Sequence, residues 1–198
     1  MAKALPKHAM KEPIIPQLRE GEFLSWESAQ DGKFELHRGF VMAFAGGTVD
    51  HDTIAFNVRG ALDRLFRSPC RTFGADVKIR VAADTFYYAD AGVVCEAVSG
   101  DATVIERARI VAEVLSRSTR SYDLVEKRAA YRSMASLVAY MVVHADMQRV
   151  EVDVRAQDGS WRTETYDVGE AFVDGRALAL DAIYDRSSLQ NPSGEVVE

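Results

Sequence analysis

Long apolar runs are missing from this 198-residue sequence: none approaches the roughly 18 residues that suggest a membrane span. The opening, MAKALPKHAMKEPIIP, also lacks the apolar stretch of a secretory signal, so the expected location is the cytoplasm and no membrane partner is expected. Cysteine is scarce. Cys70 and Cys95 are too few and too far apart in sequence to suggest a zinc site, and two reduced, buried thiols are the expected state in that compartment. An excess of positive charge is missing too, since the net charge of −6 does not announce a nucleic-acid binder. Proline is rare, and three of the five prolines fall in the first 20 residues, which read as a flexible arm. No repeat or linker divides residues 21–186, which are expected to form one domain, followed by a disordered polar tail over 187–198.

What is present is the composition of a soluble globular chain, 47% apolar and 27% charged. The charge is unevenly spread. From Ile105 to Arg132 there are 7 basic residues against 4 acids, whereas from Asp146 onward there are 12 acids against 5 arginines. An anionic substrate near the central stretch is compatible with this asymmetry, as is a mixed solvated surface.

The pattern predicts a mixed α+β architecture. Ser25 can cap a short helix through WESAQ, and Phe34–Leu36 with Phe40–Phe44 reads as a hairpin around His37-Arg38-Gly39. Asp50 can cap a helix from His51 to about Phe66, where Ile54, Val58, Leu62 and Leu65 recur at helical spacing. Strands are expected at Arg71–Val81 and Phe86–Cys95, then at Ile110–Leu115, Leu137–Val143, Arg149–Val154, Trp161–Tyr166 and Ala177–Leu180. Ser118, Thr119 and Ser121 are helix-start residues for a second main helix. One mixed sheet carrying these two helices is the economical arrangement.

Two of these strands carry a lone acid. Glu113 interrupts the apolar run Ile110–Leu115, and side-chain alternation puts it on one face with Val111 and Leu115. An unpaired carboxylate there would cost several kcal/mol, so a basic partner, a proton or a metal ion must compensate it. Lys127, on the following helix, can be that partner in a structural ion pair or in a catalytic site; Asp123 is its alternative salt-bridge partner at i−4. Asp90 interrupts FYYADAGVVC in the same way. Two carboxylates on one face would repel, which favours a bound cation or a shared proton. Carboxylates, a backbone carbonyl and waters suit Mg²⁺ or Mn²⁺ better than zinc.

The order ELxxG, a lone Asp closing a YYxD strand, VAEVLSxSTRxYDxxEKxxAY and then AYMVV resembles the Uma-two family of restriction-endonuclease-like proteins, within the PD-(D/E)XK nuclease superfamily. The resemblance spans residues 24–185, and its specific part runs from Glu113 to Tyr131. It implies a restriction-endonuclease-like core with a helix before and a helix after the metal-site strands, and an N-terminal hairpin. It implies Asp90, Glu113 and the Val114 carbonyl as the metal set, with Mg²⁺ or Mn²⁺ as cofactor, and Asp90, Glu113 and Lys127 as the catalytic residues. The superfamily's Pro-Asp is here Ala89-Asp90, its usual lysine position holds Leu115, and His144 replaces a frequent Asp. The implied activity is metal-assisted hydrolysis of DNA phosphodiester bonds.

Three further residues have two readings each. Glu35 is an additional metal or water ligand, or a solvated strand carboxylate; His51 touches a phosphate, or caps its helix; Tyr131 shares the face of Lys127 as a site or a core residue. The function classes left open are a DNA endonuclease, a nuclease-fold module that binds nucleic acid or protein without turnover, and a structural or regulatory homodimer.

Overall fold

A computed structural model describes residues 18–43, 47–115 and 123–190. Helix α1 (Glu20–Glu27) begins before Ser25, because the Arg19 N–H donates to Glu22 Oε2 at 2.9 Å and closes its first turn. Strands β1 (Phe34–His37) and β2 (Phe40–Ala43) form the expected hairpin. Arg38 and Gly39 turn it with φ of 49° and 85°, the left-handed pair that a two-residue hairpin turn needs. Phe44 lies outside the described residues. Helix α2 (Val49–Leu65) is capped not by Asp50 but by Thr48, whose hydroxyl accepts the His51 N–H at 3.2 Å.

The two long strands expected next are each broken in two. β3 (Arg71–Gly74) and β6 (Ala91–Val94) pair in one sheet, while β4 (Lys78–Ala82) and β5 (Thr85–Tyr88) pair in another. The four pieces are one long antiparallel hairpin bent at its waist, with Ala75–Val77 crossing on one arm and Ala89-Asp90 on the other. Alternation alone could not reveal the bend, because the apolar period continues through it. Asp90 therefore stands at a corner between sheets and not inside a strand.

Five strands, in the order β2-β1-β5-β4-β7, make the first sheet, with β7 being Val104–Ile105. The second has six, ordered β11-β10-β9-β8-β6-β3. Its centre is β8 (Ile110–Leu115), parallel to β9 (Ala139–His144); β10 (Val150–Arg155) and β11 (Trp161–Tyr166) follow antiparallel. Between β8 and β9 a π-helical turn, Asp123–Lys127, runs into α3 (Arg128–Arg132). The helix-start residues Ser118, Thr119 and Ser121 lie outside the described residues. A small hairpin, β12 (Glu170–Val173) with β13 (Arg176–Ala179), precedes α4 (Leu180–Tyr184). The expected single sheet is thus two larger sheets and a hairpin, within a mixed α+β fold.

Alternation along β8 splits the core. Ile110, Ala112 and Val114 face α2 and α4, with Ile54, Val58, Leu62 and Tyr184. Val111 and Leu115 face the other way, with Tyr87, Tyr131 and Tyr140. Burying such apolar faces supplies most of the stability of the fold. The chain beyond α4 is held at first: Ser187 is buried, and Ser188 donates to the Asp50 carboxylate from both N–H and Oγ. Residues 1–17 and 191–198 lie outside the described part.

The cysteines correct one expectation. Cys70 and Cys95 form a disulfide, S–S 2.04 Å, in place of two reduced thiols. They are the pair next to Arg71↔Val94, so antiparallel register sets them face to face although 25 residues separate them in sequence. No described helix is long and apolar enough to cross a membrane.

Candidate active site

Register places the two lone acids side by side. β6 pairs with β8 through Ala91↔Ala112, so one step further Asp90 stands opposite Glu113. Their side chains nevertheless serve two adjoining groups that meet at the Glu113–Val114 step of β8.

The first group faces a cleft. The Val114 N–H donates to Asp90 Oδ2 at 2.7 Å, which fixes the carboxylate at the corner. His51, in the first turn of α2, brings Nε2 to 3.0 Å from the Val114 carbonyl oxygen and 3.5 Å from Asp90 Oδ2. Its expected choice between capping and phosphate contact is resolved differently: the backbone N–H of His51 is capped, and its ring reaches the Asp90 corner. Both His51 and Asp90 line a cleft of about 850 Å³ with Lys33, Arg59, Phe56 and Asp76 among its walls.

The second group is buried behind that corner. Lys127 Nζ donates to Glu35 Oε1 at 2.8 Å and lies 3.3 Å from Glu113 Oε1. The side chains are 3%, 0% and 6% exposed respectively, so the cluster is shut away from bulk water. Tyr131 donates to Glu113 Oε1 at 3.1 Å, and the Tyr88 N–H donates to Glu35 Oε1 at 3.1 Å. Burial pushes the Tyr131 hydroxyl well above its ordinary range, with the Glu113 and Glu35 charges adding to it, so it stays a donor. Lys127 and Tyr131 share a helix face as their spacing predicts. The side chain of Asp123 lies outside the described part.

Glu35 is therefore no solvated strand carboxylate. It is fully buried and holds Lys127. A neighbouring ion pair was not foreseen: Lys78 Nζ lies 2.8 Å from Glu27 Oε2, and Tyr88 donates its hydroxyl to Glu27 Oε1 at 2.8 Å. Burial, then the Glu27 hydrogen bond, push the Tyr88 hydroxyl up as well. Nothing in the sequence marked Lys78 or Glu27. Each sits at the start or end of a short element, where alternation gives no face.

Part of the central basic excess is paired with acids of the C-terminal part. Arg109 pairs with Asp174 at 2.8 Å. Arg128 reaches Asp153 at 2.5 and 2.7 Å and Glu151 at 2.9 Å, while Arg132 lies 3.9 Å from Asp153. Basic centre and acidic C-terminal part are partners across the sheet, which leaves fewer arginines for an anion than the count suggests. His144, where a frequent Asp stands in the resembled family, joins this network through Glu151 at 3.1 Å.

The donor chemistry suits a hard divalent cation. Asp90 Oδ2 and the Val114 carbonyl oxygen each lie within reach of His51 Nε2, at 3.5 and 3.0 Å. Among the described residues no three His, Cys, Asp or Glu side chains gather at one point, so the set is two side chains and a carbonyl, with Glu113 adjacent in sequence.

A family model described as “Putative restriction endonuclease”, Uma2, matches residues 21–184. The chain belongs to the Uma2 family. Two relatives come from Synechocystis sp.: “Uncharacterized protein slr1290” is 28% identical over 183 residues, 89% of this chain and 96% of that protein. “Uncharacterized protein sll1609” is 26% identical over 153 residues, covering 73% and 84%. The fold of this Uma2 chain is similar to the crystal structure of “a putative nuclease belonging to DUF820” from Anabaena variabilis. That match has a TM-score of 0.65 at 15% identity and covers 83% of this chain and 96% of that one. At that identity the likeness concerns the fold alone.

Proposed function

We propose that this Uma2 chain is a metal-dependent endonuclease that hydrolyses phosphodiester bonds of DNA. The observation that carries the reading is the Asp90 carboxylate at the wall of an open cleft, held there by the Val114 N–H, while Glu113, the residue before Val114 in β8, binds the buried Lys127. Asp90 and the Val114 carbonyl would hold Mg²⁺ or Mn²⁺, while Glu113, turned to Lys127 and Tyr131, would position the lysine rather than the ion. Such an ion, when bound, lowers the pKa of a coordinated water and stabilises charge on phosphoryl oxygens.

The remaining steps belong to side chains. Lys127, anchored by Glu35 and Glu113, supplies a fixed positive charge that orients the attacking water or offsets the developing oxyanion. Its two carboxylate partners keep it from swinging to solvent, so no reorganisation is needed when charge develops. Arg59 and Arg186, which line the cleft, can meet phosphates, although Lys33 is already held by Asp76 at 2.5 Å. Binding to long DNA should therefore be weak at physiological salt, because few phosphates are neutralised.

The test is cleavage of single- and double-stranded DNA and RNA by purified protein with Mg²⁺, Mn²⁺ or EDTA. DNA is expected to be nicked with either cation, with nothing cut in EDTA. Equal cutting by wild type and Asp90→Ala would assign the activity to a contaminant. No cutting of any substrate under either metal would leave a nuclease-fold binding module.

A further inference from the structure

Phe56 breaks the pattern that α2 otherwise follows. Ile54, Val58 and Leu62 are buried, yet the Phe56 ring is 69% exposed in the middle of the helix. It stands where two concavities meet. One is the cleft of about 850 Å³ that Asp90 lines; the other, of about 450 Å³, has Arg64, Asp181 and Asp185 in its walls. Phe56 and Arg186 line both.

Gly60, one turn further on, leaves the ring uncovered. A helix side chain leans back over the residue four places before it, so a large side chain at position 60 would lie against Phe56. Glycine in a helix interior costs stability relative to alanine. Internal packing does not call for it here, because an added Cβ would meet only Arg64 Nη1 within 4 Å, at an ordinary 3.7 Å. What the glycine provides is access to one side of an aromatic ring, on the wall of the second concavity.

Charge decides what such a ring receives. Among the described residues, Lys33, Arg59, Arg64 and Arg186 share these walls with five aspartates. A duplex is held mostly through its phosphates and shows only the edges of its bases, so walls of balanced charge and an exposed ring suit it poorly. An unpaired strand offers the faces of its bases, which stack on aromatic rings whatever the sequence. The placement agrees. Phe56 lies about 7.5 Å along the helix from His51, whose ring reaches the Asp90 corner. A base stacked on Phe56 therefore leads its own backbone into the cleft that Asp90 lines.

We propose that Phe56 is a base-stacking platform and that the strand taken by this cleft is unpaired DNA. This rests on the nuclease reading of the Asp90 cleft and names its substrate class.

The test is fluorescence anisotropy of a labelled DNA single strand and of the matching duplex, in EDTA so that nothing is cut. Wild type should bind the single strand more tightly. Loss of one stacking ring weakens binding by about 5- to 150-fold, so Phe56→Ala should lose affinity for the single strand in that range and change little toward the duplex. Phe56→Trp should bind as wild type does. Gly60→Ala and Gly60→Leu should both raise the melting temperature, but only the leucine, which covers the ring, should weaken the single strand. Arg59, Arg64 and Arg186 give a shallow slope of log affinity against log salt, of magnitude about 2. Single-strand binding by Phe56→Ala equal to that of wild type would overturn the proposal. So would a wild type that prefers the duplex. A wild-type dimer that Phe56→Ala turns into a monomer, with DNA binding unchanged, would make the ring a self-association contact instead. In each of these cases metal-supported cutting by wild type would leave the nuclease reading standing. If wild type neither binds nor cuts any strand, both fall.

Discussion

Glu113 and Val114 are consecutive in one strand, yet they belong to opposite kinds of site. Glu113 points into a closed pocket, where an ammonium and a tyrosine hydroxyl already satisfy one of its oxygens. Val114 turns its carbonyl toward His51 and its N–H to Asp90, at the edge of a cleft. The closed side is preorganised and dry; the open side is where a ligand can arrive. Side-chain alternation produces this division, and the bend of the long hairpin at Asp90 delivers the second carboxylate to it.

The sharpest break in the comparison is Asp90→Ala. Among the described residues Asp90 is the carboxylate that both lines the cleft and touches Val114, so cleavage should fall to the EDTA background; the buried Val114 N–H also loses its acceptor, which should lower the melting temperature by the equivalent of about 1–3 kcal/mol. Retained cleavage would move the chemistry off the open side.

Arg128→Ala comes next and should act on folding alone. Arg128 follows Lys127 directly but serves a different network, with Asp153 fully buried beneath it. Its ion-pair and hydrogen-bond partners raise its pKa, Asp153 first among them, so it stays charged. Removing one partner of a buried pair costs about 3–5 kcal/mol, which a lowered urea midpoint would show. A loss below about 1 kcal/mol would be that of a surface pair. Lys127→Ala should instead slow cleavage by about 10²- to 10³-fold and spare metal binding. It also leaves Glu35 facing Glu113, so adding Glu35→Gln should recover stability without recovering the rate. Recovery of both would make Lys127 a structural counter-ion.

Much of this division was legible in the sequence, and the illegible parts have physical causes. Glu113 stood out because a lone acid in an apolar strand must be compensated, and Lys127 with Tyr131 followed from helical spacing. The hairpin at Arg38-Gly39 and helix α2 followed from turn chemistry and period. The bend at Asp90 did not, because apolar alternation passes unbroken through both crossing points. Glu35 had two readings in a four-residue strand, since burial on both faces comes from the neighbouring sheet, not from β1 itself. The Cys70–Cys95 bond and the pairing of Arg109 and Arg128 with distant acids are facts of register, which sequence separation conceals.

The smallest predicted effect is a pH dependence in the Arg128 network, outside both sites. Burial raises the pKa of Glu151, but the hydrogen bonds from His144 and Arg128 outweigh it and hold the carboxyl below its ordinary 4.5. A lowered folded pKa means that this contribution is complete above the unfolded value and is lost as pH falls through the folded one. Thermal melts from neutral pH into that acid range should decline less steeply for Glu151→Gln than for wild type. Parallel slopes would show that Glu151 adds nothing.

The central claim is that the cation sits on the open side, held by Asp90. A titration of Mn²⁺ into the pure protein, followed by loss of the free-ion EPR signal, tests it most directly. Wild type should take up one equivalent and Asp90→Ala none, while Lys127→Ala should bind as wild type does. Undiminished uptake by Asp90→Ala would contradict the account.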